Sequence, residues 1–338
     1  MIKINETQIK DLDNLVLLWN NPQVIKYVGF KEGLKTNIDK VREWHESMSK
    51  RVNSKHFSIY NEDKYCGEVF YRFDTELTDV DIKLLPEASG LGIGEYALCS
   101  CMIKVFCISK DTIIKVDPHR DNTRAIALYK KLGFTYDSST VDNTNIVYYC
   151  GYSGFRPSKK VLKDVVEIRM FEEMDSDNVW KYTEKDSHYE WEDWNGPYFE
   201  KKERMTRLEF NDYFNKYRLQ STETRAIFVE DMLIGEISCY WIDKKTRWLE
   251  IGIIIYDSTD WSKGYGRIAL ANWITGIFNS YEIERVGLTT WSGNQRMMKA
   301  ATALGMKQEA VLRKVRYYNG VYYDSVKYGV LREEWFNE

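Results

Sequence analysis

Two stretches of the chain, DNTRAIALYKKLGF at 121–134 and GNQRMMKAATALGM at 293–306, follow one pattern at a fixed spacing. Asn122 and Asn294 lie 172 positions apart, as do Gly133 and Gly305, Gly92 and Gly264, and Gly94 and Gly266. Earlier landmarks drift. Asp11, Asp13 and Asn14 recur as Asp175, Asp177 and Asn178 at an offset of 164, and Gly67-Glu68 recurs as Gly235-Glu236 at 168. An offset held across a loop and two helical patterns, with drift confined to connections, marks a duplicated folded unit. The chain must therefore build one fold twice, and its 338 residues suit two domains that each bury a core. The join is expected near SGFRPSKKVLKD, 153–164, where glycine, proline and lysine interrupt the apolar pattern, giving domains at 1–158 and 159–338.

Each copy reads in the same order. An opening strand (IKI at 2–4; VVEIRMF at 165–171) precedes helical segments, β-rich runs around Gly67 and Gly235, and a further strand (VDIKLLP at 80–86; LEIGIIIYD at 249–257). A glycine loop follows. Leu98, Cys101, Met102 and Val105 then stand at helical spacing, repeated by Leu270, Trp273, Ile274 and Ile277. Another strand (TIIKVDP at 112–118; RVGLTTW at 285–291), a second helix and closing β segments complete the unit. This order predicts an α/β class fold, a mixed sheet flanked by helices, in two tandem domains.

The loops SGLGIGE at 89–95 and WSKGYGR at 261–267 lie between a buried strand and a helix. Free N–H groups at a helix start form a concave anion site, and glycine lets a phosphate approach them, so a pyrophosphate is the expected guest. Neither loop spells a P-loop or a dinucleotide fingerprint. Lys263 supplies a cation where the first copy has Leu91, which implies tighter holding of a phosphorylated ligand by the second loop.

Composition excludes other classes. A formal charge of -3 offers no general attraction to nucleic acid or an anionic membrane. The cysteines at 66, 99, 101, 107, 150 and 239, with His45, His56, His119 and His188 far apart, match neither a metal site nor a disulfide framework. The N-terminal MIKINETQIKDLDN lacks the apolar core of a secretory signal, and the expected location is cytoplasmic.

The glycine loop and the asparagine helix, 28 residues apart from Gly94 to Asn122, resemble the two signature motifs of the GNAT superfamily of acyl-CoA-dependent N-acetyltransferases. The first copy carries every marked helix position of that family, Asn122, Ala125, Tyr129, Gly133 and Phe134; the second keeps Asn294 and Gly305, with Met306 for the phenylalanine and Ala301 for the tyrosine. VDPHRDNTRAIALYKKLGF is similar to aminoglycoside 6'-N-acetyltransferases, and WSKGYG with the YYNGVYYDSVKYGVLREEW tail is similar to Rim-type acetyltransferases. The resemblance implies acetyl-CoA as donor and co-substrate, no metal, and a small-molecule or peptide primary amine as acceptor, with a homodimer an open option. It implies coenzyme contacts at Leu84, Leu85, Ser89, Gly90, Leu91, Gly92, Ile93, Gly94 and Asn122, and at Ile254, Ile255, Trp261, Lys263, Gly264, Tyr265, Gly266 and Asn294. Ser89 and Trp261 depart from the glutamine or arginine usual at the head of the loop.

Acetyl transfer needs a base for the amine and an acid for the leaving sulfur. Within the resemblance Tyr129 is the expected acid, sharing a helical stripe with Ala125, Leu128 and Leu132, whereas Ala301 has no proton to give. Glu68, Asp79 and Asp81 are candidate bases in the first copy, and Glu236 and Glu250 in the second. Asn122 and Asn294 also read as helix N-caps. The segment YTEKDSHYEWEDWNGPYFEKK at 182–202 interleaves Tyr182, Tyr189, Trp191, Trp194 and Tyr198 with Glu184, Asp186, Glu190, Glu192 and Asp193. It reads either as an acceptor groove for cationic amines or as aromatics seated on a core. Ser89, Leu91 and Ala301 keep a second reading open, an acyl-CoA-binding or interaction protein in which one or both copies have lost catalysis.

Overall fold

The sheet of the first half starts from β1 (Ile2–Glu6), β2 (Ser54–Asn61) and β3 (Lys64–Arg72), whose alternating apolar residues face helices on either side. The structure is a computed structural model that describes residues 1–136, 144–200 and 203–337, so Lys201 and Lys202 of the aromatic-acidic segment lie outside the described residues. The chain divides into two units, Met1–Val161 and Leu162–Glu338.

In the first unit, α1 (Leu12–Asn20), α2 (Pro22–Ile25) and α3 (Ile38–Ser49) separate β1 from β2. β4 (Leu77–Leu84), α4 (Ile93–Ile108), β5 (Ile113–Val116), α5 (Thr123–Lys131), β6 (Thr135–Tyr136) and β7 (Tyr148–Gly151) follow. The strands form one seven-stranded sheet in the order β1-β2-β3-β4-β5-β7-β6. Only β4 and β5 run parallel among the described strand pairs of this sheet. α4 is the crossover between them. It is buried on nearly every face, from Ile93 through Phe106, because it fills the layer against the sheet.

The second unit repeats this plan. After α6 (Lys159–Val165), β8 (Val166–Arg169), α7 (Ser176–Thr183), α8 (Arg207–Tyr217), β9 (Thr224–Val229), β10 (Met232–Asp243), β11 (Trp248–Ile255), α9 (Tyr265–Ser280), β12 (Arg285–Trp291), α10 (Gln295–Ala303), β13 (Lys307–Tyr318), β14 (Val321–Leu331) and a last turn of helix succeed one another. Their order in the sheet is β8-β9-β10-β11-β12-β14-β13, with β11 and β12 as the parallel neighbours. Both units are thus mixed sheets flanked by helices, as the element order predicts. The join differs in detail from the expected irregular connection: residues 159–165 form a short helix, because Val161 and Leu162 are buried on one side of it.

The recurring landmarks turn out to be backbone positions. Asp11 and Asp175 are buried and accept from the N–H of Gln8 (2.9 Å) and Glu172 (2.8 Å), closing the turn that opens each first helix. Gly67 and Gly235 sit where one strand presses on the next. A Cβ on Gly67 would lie 2.1 Å from the Lys83 carbonyl oxygen, and one on Gly235 would lie 2.1 Å from that of Ile254. Gly67→Ala is expected to destabilise the first unit by about 1–3 kcal/mol, because the neighbouring strand must shift. A urea midpoint equal to that of the unaltered protein would show that the strands yield without strain.

Candidate coenzyme and acceptor site

β4 and β5 are paired only from Leu77↔Ile113 to Asp79↔Lys115. Beyond that point β4 continues to Leu84 while β5 ends, so residues 80–84 keep β3 on one side and have no β5 partner on the other. The uncovered edge leads straight to the glycine loop. Gly92, at φ +77°, caps α4 in the left-handed conformation, Gly90 is also left-handed at φ +83°, and the space beside each is open. Ser89 is half-buried and Leu91 exposed, while Ile93 and Gly94 are buried at the helix start. Asn122 caps α5, its side-chain oxygen accepting from the Ala125 N–H (3.2 Å).

Two cavities open from the parting of the strands. The larger, about 1080 Å³, is bounded by Leu84, Ser89, Asn122, Arg124, Leu128 and Tyr129. The smaller, about 650 Å³, has a wall of Trp19, Trp44, Phe70, Phe30 and Met48 and a polar floor of His56 and Glu68. Val28, Val80, Asp81, Lys83 and Asp117 line both, so the cavities adjoin where β4 leaves β5.

Tyr129 is almost fully buried, yet its hydroxyl has no hydrogen-bond partner among the described residues. Burial and the charges of Asp81 and Asp117 push its pKa up, which keeps it a protonated phenol. Glu68 has the opposite environment. Its carboxylate accepts from Trp19 Nε1 (2.9 Å) and His56 Nε2 (3.0 Å) and is 3.2 Å from Lys83 Nζ. Burial alone would raise its pKa, but Lys83 and His56 hold it down to about 2, so it is a fixed negative charge and a weak base. With His56 Nε2–H donating to Glu68, Nδ1 accepts from Thr7 Oγ1 (2.8 Å). Lys83 lies between Glu68 and Asp81, whose ion pair with it is close, and these charges raise the ammonium above its usual range although burial opposes them.

The other carboxylates of the site divide in the same way. Asp79 is paired with Arg72 and with Lys115 (2.7 Å), and against the pull of burial these cations lower its pKa. Asp81 accepts from the Ile82 N–H (2.8 Å) on the uncovered edge of β4. Asp117, just past β5, is raised from its ordinary value by burial, only partly offset by Lys115, with Asp81 and Asp79 adding to the rise. Sequence reasoning passed over Asp117, Lys83 and His56. Asp117 stands inside VDPHRDN beside residues selected for the helix motif, and Lys83 shares a strand face with Asp79 and Asp81 at period two, so both had a signal.

In the second unit the strands part in the same way, β11 meeting β12 only at Leu249↔Val286 and Glu250↔Gly287. The chemistry differs. Strand register sets Glu250 at the place of Asp79, Gly252 at that of Asp81, and Ile254 and Ile255 at those of Lys83 and Leu84. Glu236, which matches Glu68, is held instead by Arg218 (3.0 Å) and the Tyr256 hydroxyl (3.1 Å). Glu250 is buried and accepts from Thr289 Oγ1 (2.7 Å), Tyr240 Oη (3.3 Å) and Lys327 Nζ (3.4 Å). Gly264 caps α9 at φ +92°, with Tyr265 buried behind it and Gly266 one residue further on. Lys263 is buried too, Trp261 Nε1 donates to the Ile255 carbonyl (2.9 Å), and Asn294 caps α10 through the Met297 N–H (3.0 Å).

A mixed sheet whose one parallel pair separates beside a glycine-capped helix is present twice, which defines a protein of two tandem α/β units. The family model for the acetyltransferase (GNAT) domain matches residues 2–135 and again 166–307, and the chain belongs to the GNAT acetyltransferase family. Among curated proteins it is similar to "Putative ribosomal N-acetyltransferase YdaF" of Bacillus subtilis (strain 168), 30% identical over 113 residues. That alignment spans 33% of this chain and 61% of the relative, less than two thirds of the relative's length. Similar solved structures include a GNAT-family acetyltransferase from Bacillus anthracis (20% identity, TM-score 0.41, 50% of this chain and 96% of that one). Another is a spermidine N-acetyltransferase from Vibrio cholerae in complex with CoA and spermine (17% identity, TM-score 0.40, 45% and 96%).

The Glu68 environment sets a pH dependence. A carboxyl lowered from 4.5 to about 2 on folding contributes stability that is complete above pH 4.5 and is lost as pH falls toward 2. In Lys83→Met the main charge holding it down is gone, the folded value moves back toward the unfolded one, and the loss of urea stability between pH 4.5 and about 2 should be smaller than in the unaltered protein. Superimposable pH profiles for the two proteins would mean that Lys83 does not hold the carboxyl down.

Proposed function

We propose that the first unit is an acetyl-CoA-dependent N-acetyltransferase for a primary amine, transferring the acetyl group directly. The observation that carries this reading is the meeting of the two cavities at Val80, Asp81 and Asp117, with the unpartnered Tyr129 hydroxyl in the larger one. Acetyl-CoA supplies an acetyl group activated as a thioester, whose C–S bond breaks as the amine nitrogen bonds to the acetyl carbon.

The chain's part follows from its geometry. The N–H groups at the start of α4 and the left-handed Gly90 and Gly92 suit a diphosphate, and the uncovered edge of residues 80–84 suits an amide-bearing arm laid alongside it as an added strand. Ile82 N–H, which donates to the Asp81 side chain, would be the donor on that edge for a thioester carbonyl oxygen, and its turning there would free the Asp81 carboxylate for an incoming ammonium. Asp117, whose pKa lies nearest neutrality among the site carboxylates with a resolved shift, takes the amine proton. Tyr129 Oη holds the proton that the departing sulfur needs. Among the described residues no cysteine lines either cavity, which fits direct transfer rather than an acyl-enzyme. The aromatic wall of the smaller cavity faces the body of the acceptor, and its carboxylates face the amine.

The second unit has Ala301 and Thr289 where the first has Tyr129 and Asp117, and this favours a role there without the same chemistry. Tyr129→Phe should lower turnover on a given amine by about 100-fold while acetyl-CoA still binds in calorimetry. Asp117→Asn should lower kcat and remove the acidic limb of the pH–rate profile. Turnover within about twofold of wild type in Tyr129→Phe would remove the acid from the tyrosine. Coenzyme binding without turnover by the unaltered protein on a broad amine panel would support the binding-protein reading.

A further inference from the structure

The duplication allows the two clefts to be compared position by position. Ser89, His119, Asn122 and Arg124 line the large cavity of the first unit, and at +172 their counterparts are Trp261, Trp291, Asn294 and Arg296. One segment of the second unit, residues 189–199, engages all four. The carbonyl of Trp194 accepts from Asn294 Nδ2 (3.0 Å) and from Trp291 Nε1 (3.0 Å). Its ring meets Trp261 edge to face with centroids 6.4 Å apart. The Arg296 guanidinium lies 4.6 Å from the Trp194 ring centroid and 4.4 Å from that of Trp261. Four residues on, Tyr198 packs against Trp291 at 6.0 Å.

The first unit has only one such contact among the described residues, the Tyr27 ring 5.5 Å from that of His119, and the cavity beside it stays open. Asn122 uses its side-chain oxygen in the same helix cap, but its amide nitrogen has no partner among the described residues. Arg124 is exposed. The matching stretch of the first copy, offset by 164, contributes Tyr27, Val28, Gly29 and Lys31 to the rim of an open cavity. In the second copy tryptophans replace the serine and the histidine of the cleft, and both of them bind the strap.

We propose that residues 189–199 form an aromatic strap that fills the coenzyme cleft of the second unit, so that the chain takes up one coenzyme, in the first unit, unless the strap is displaced. This rests on the reading of the first cleft as the coenzyme site, and it is the reverse of what Lys263 alone implies. The strap has a physical basis for staying shut. Two hydrogen bonds and a guanidinium between two indoles must all be given up before a nucleotide enters, which weakens apparent coenzyme affinity by the fraction of time the strap is open.

Calorimetry with acetyl-CoA on the full chain tests this in four forms. The unaltered protein should bind one equivalent. Leu91→Glu, which sets a carboxylate beside the exposed first loop, should bind none; Trp194→Gly should bind two; and the double variant should bind one, reporting the second cleft without reference to the first. Two equivalents in the unaltered protein, one in Leu91→Glu with residues 261–267 protected from exchange, or none in the double variant would overturn the strap. No binding by the unaltered protein together with one equivalent in the double variant would leave the strap standing and overturn the first-cleft reading. Hydrogen exchange on the unaltered chain gives a variant-free check: acetyl-CoA should protect residues 89–95 and leave 261–267 unchanged, and protection of the second loop would overturn the proposal.

Discussion

The separation of β4 from β5 after three paired positions is the constraint on which the first unit's site depends. A strand inside a sheet that loses its neighbour exposes main-chain donors and acceptors that must be satisfied by something else. Here the Ile82 N–H turns to the Asp81 side chain. The same separation ends β5 early, which puts Asp117 at the mouth of the gap, and it sets the start of α4 at the end of the exposed edge. α5 then brings Tyr129 against the opening from the other side. None of these groups would converge if the parallel pair ran its full length.

Charge organisation shows what duplication left free to change. In the first unit Glu68 is fixed by a tryptophan, a histidine and a lysine, and the lysine is shared with Asp81, so the site carries a chain of alternating charge from the floor of one cavity to the junction of both. The second unit keeps the glutamate at the same register but gives it an arginine and a tyrosine, and Ile254 takes the lysine's place. A buried carboxylate must be partnered wherever it sits, and the partners can come from different elements. Asp81 and Asp117, the acids at the junction of the two cavities, are the ones absent from the second copy, where Gly252 and Thr289 stand.

This distinction explains what could be read in advance. Gly67, Gly92, Gly133 and Asn122 hold backbone geometry that few other residues provide, so they recur in the second copy and announce the fold, the repeat and the loop that opens α4. Tyr129 was visible because it sits inside that motif. Lys83 and Asp117 sit within patterns that the sequence shows, whereas His56 acts through partners from distant elements, reaching Thr7 and Glu68 from β2, and no local period encodes such contacts. The strap was hidden for the same reason. Its aromatic run was evident, but the surface it faces is built from residues about 100 positions later, and the alternatives of groove and packed core looked alike without that surface.

A crystal structure of the full chain with acetyl-CoA tests the central claim most directly. The account predicts the coenzyme in the first unit, its diphosphate over residues 90–94 and its arm against the edge of residues 80–84, with the sulfur nearest Tyr129. Coenzyme bound away from the parted strands, or an unchanged Asp81–Ile82 contact with the gap empty, would contradict it.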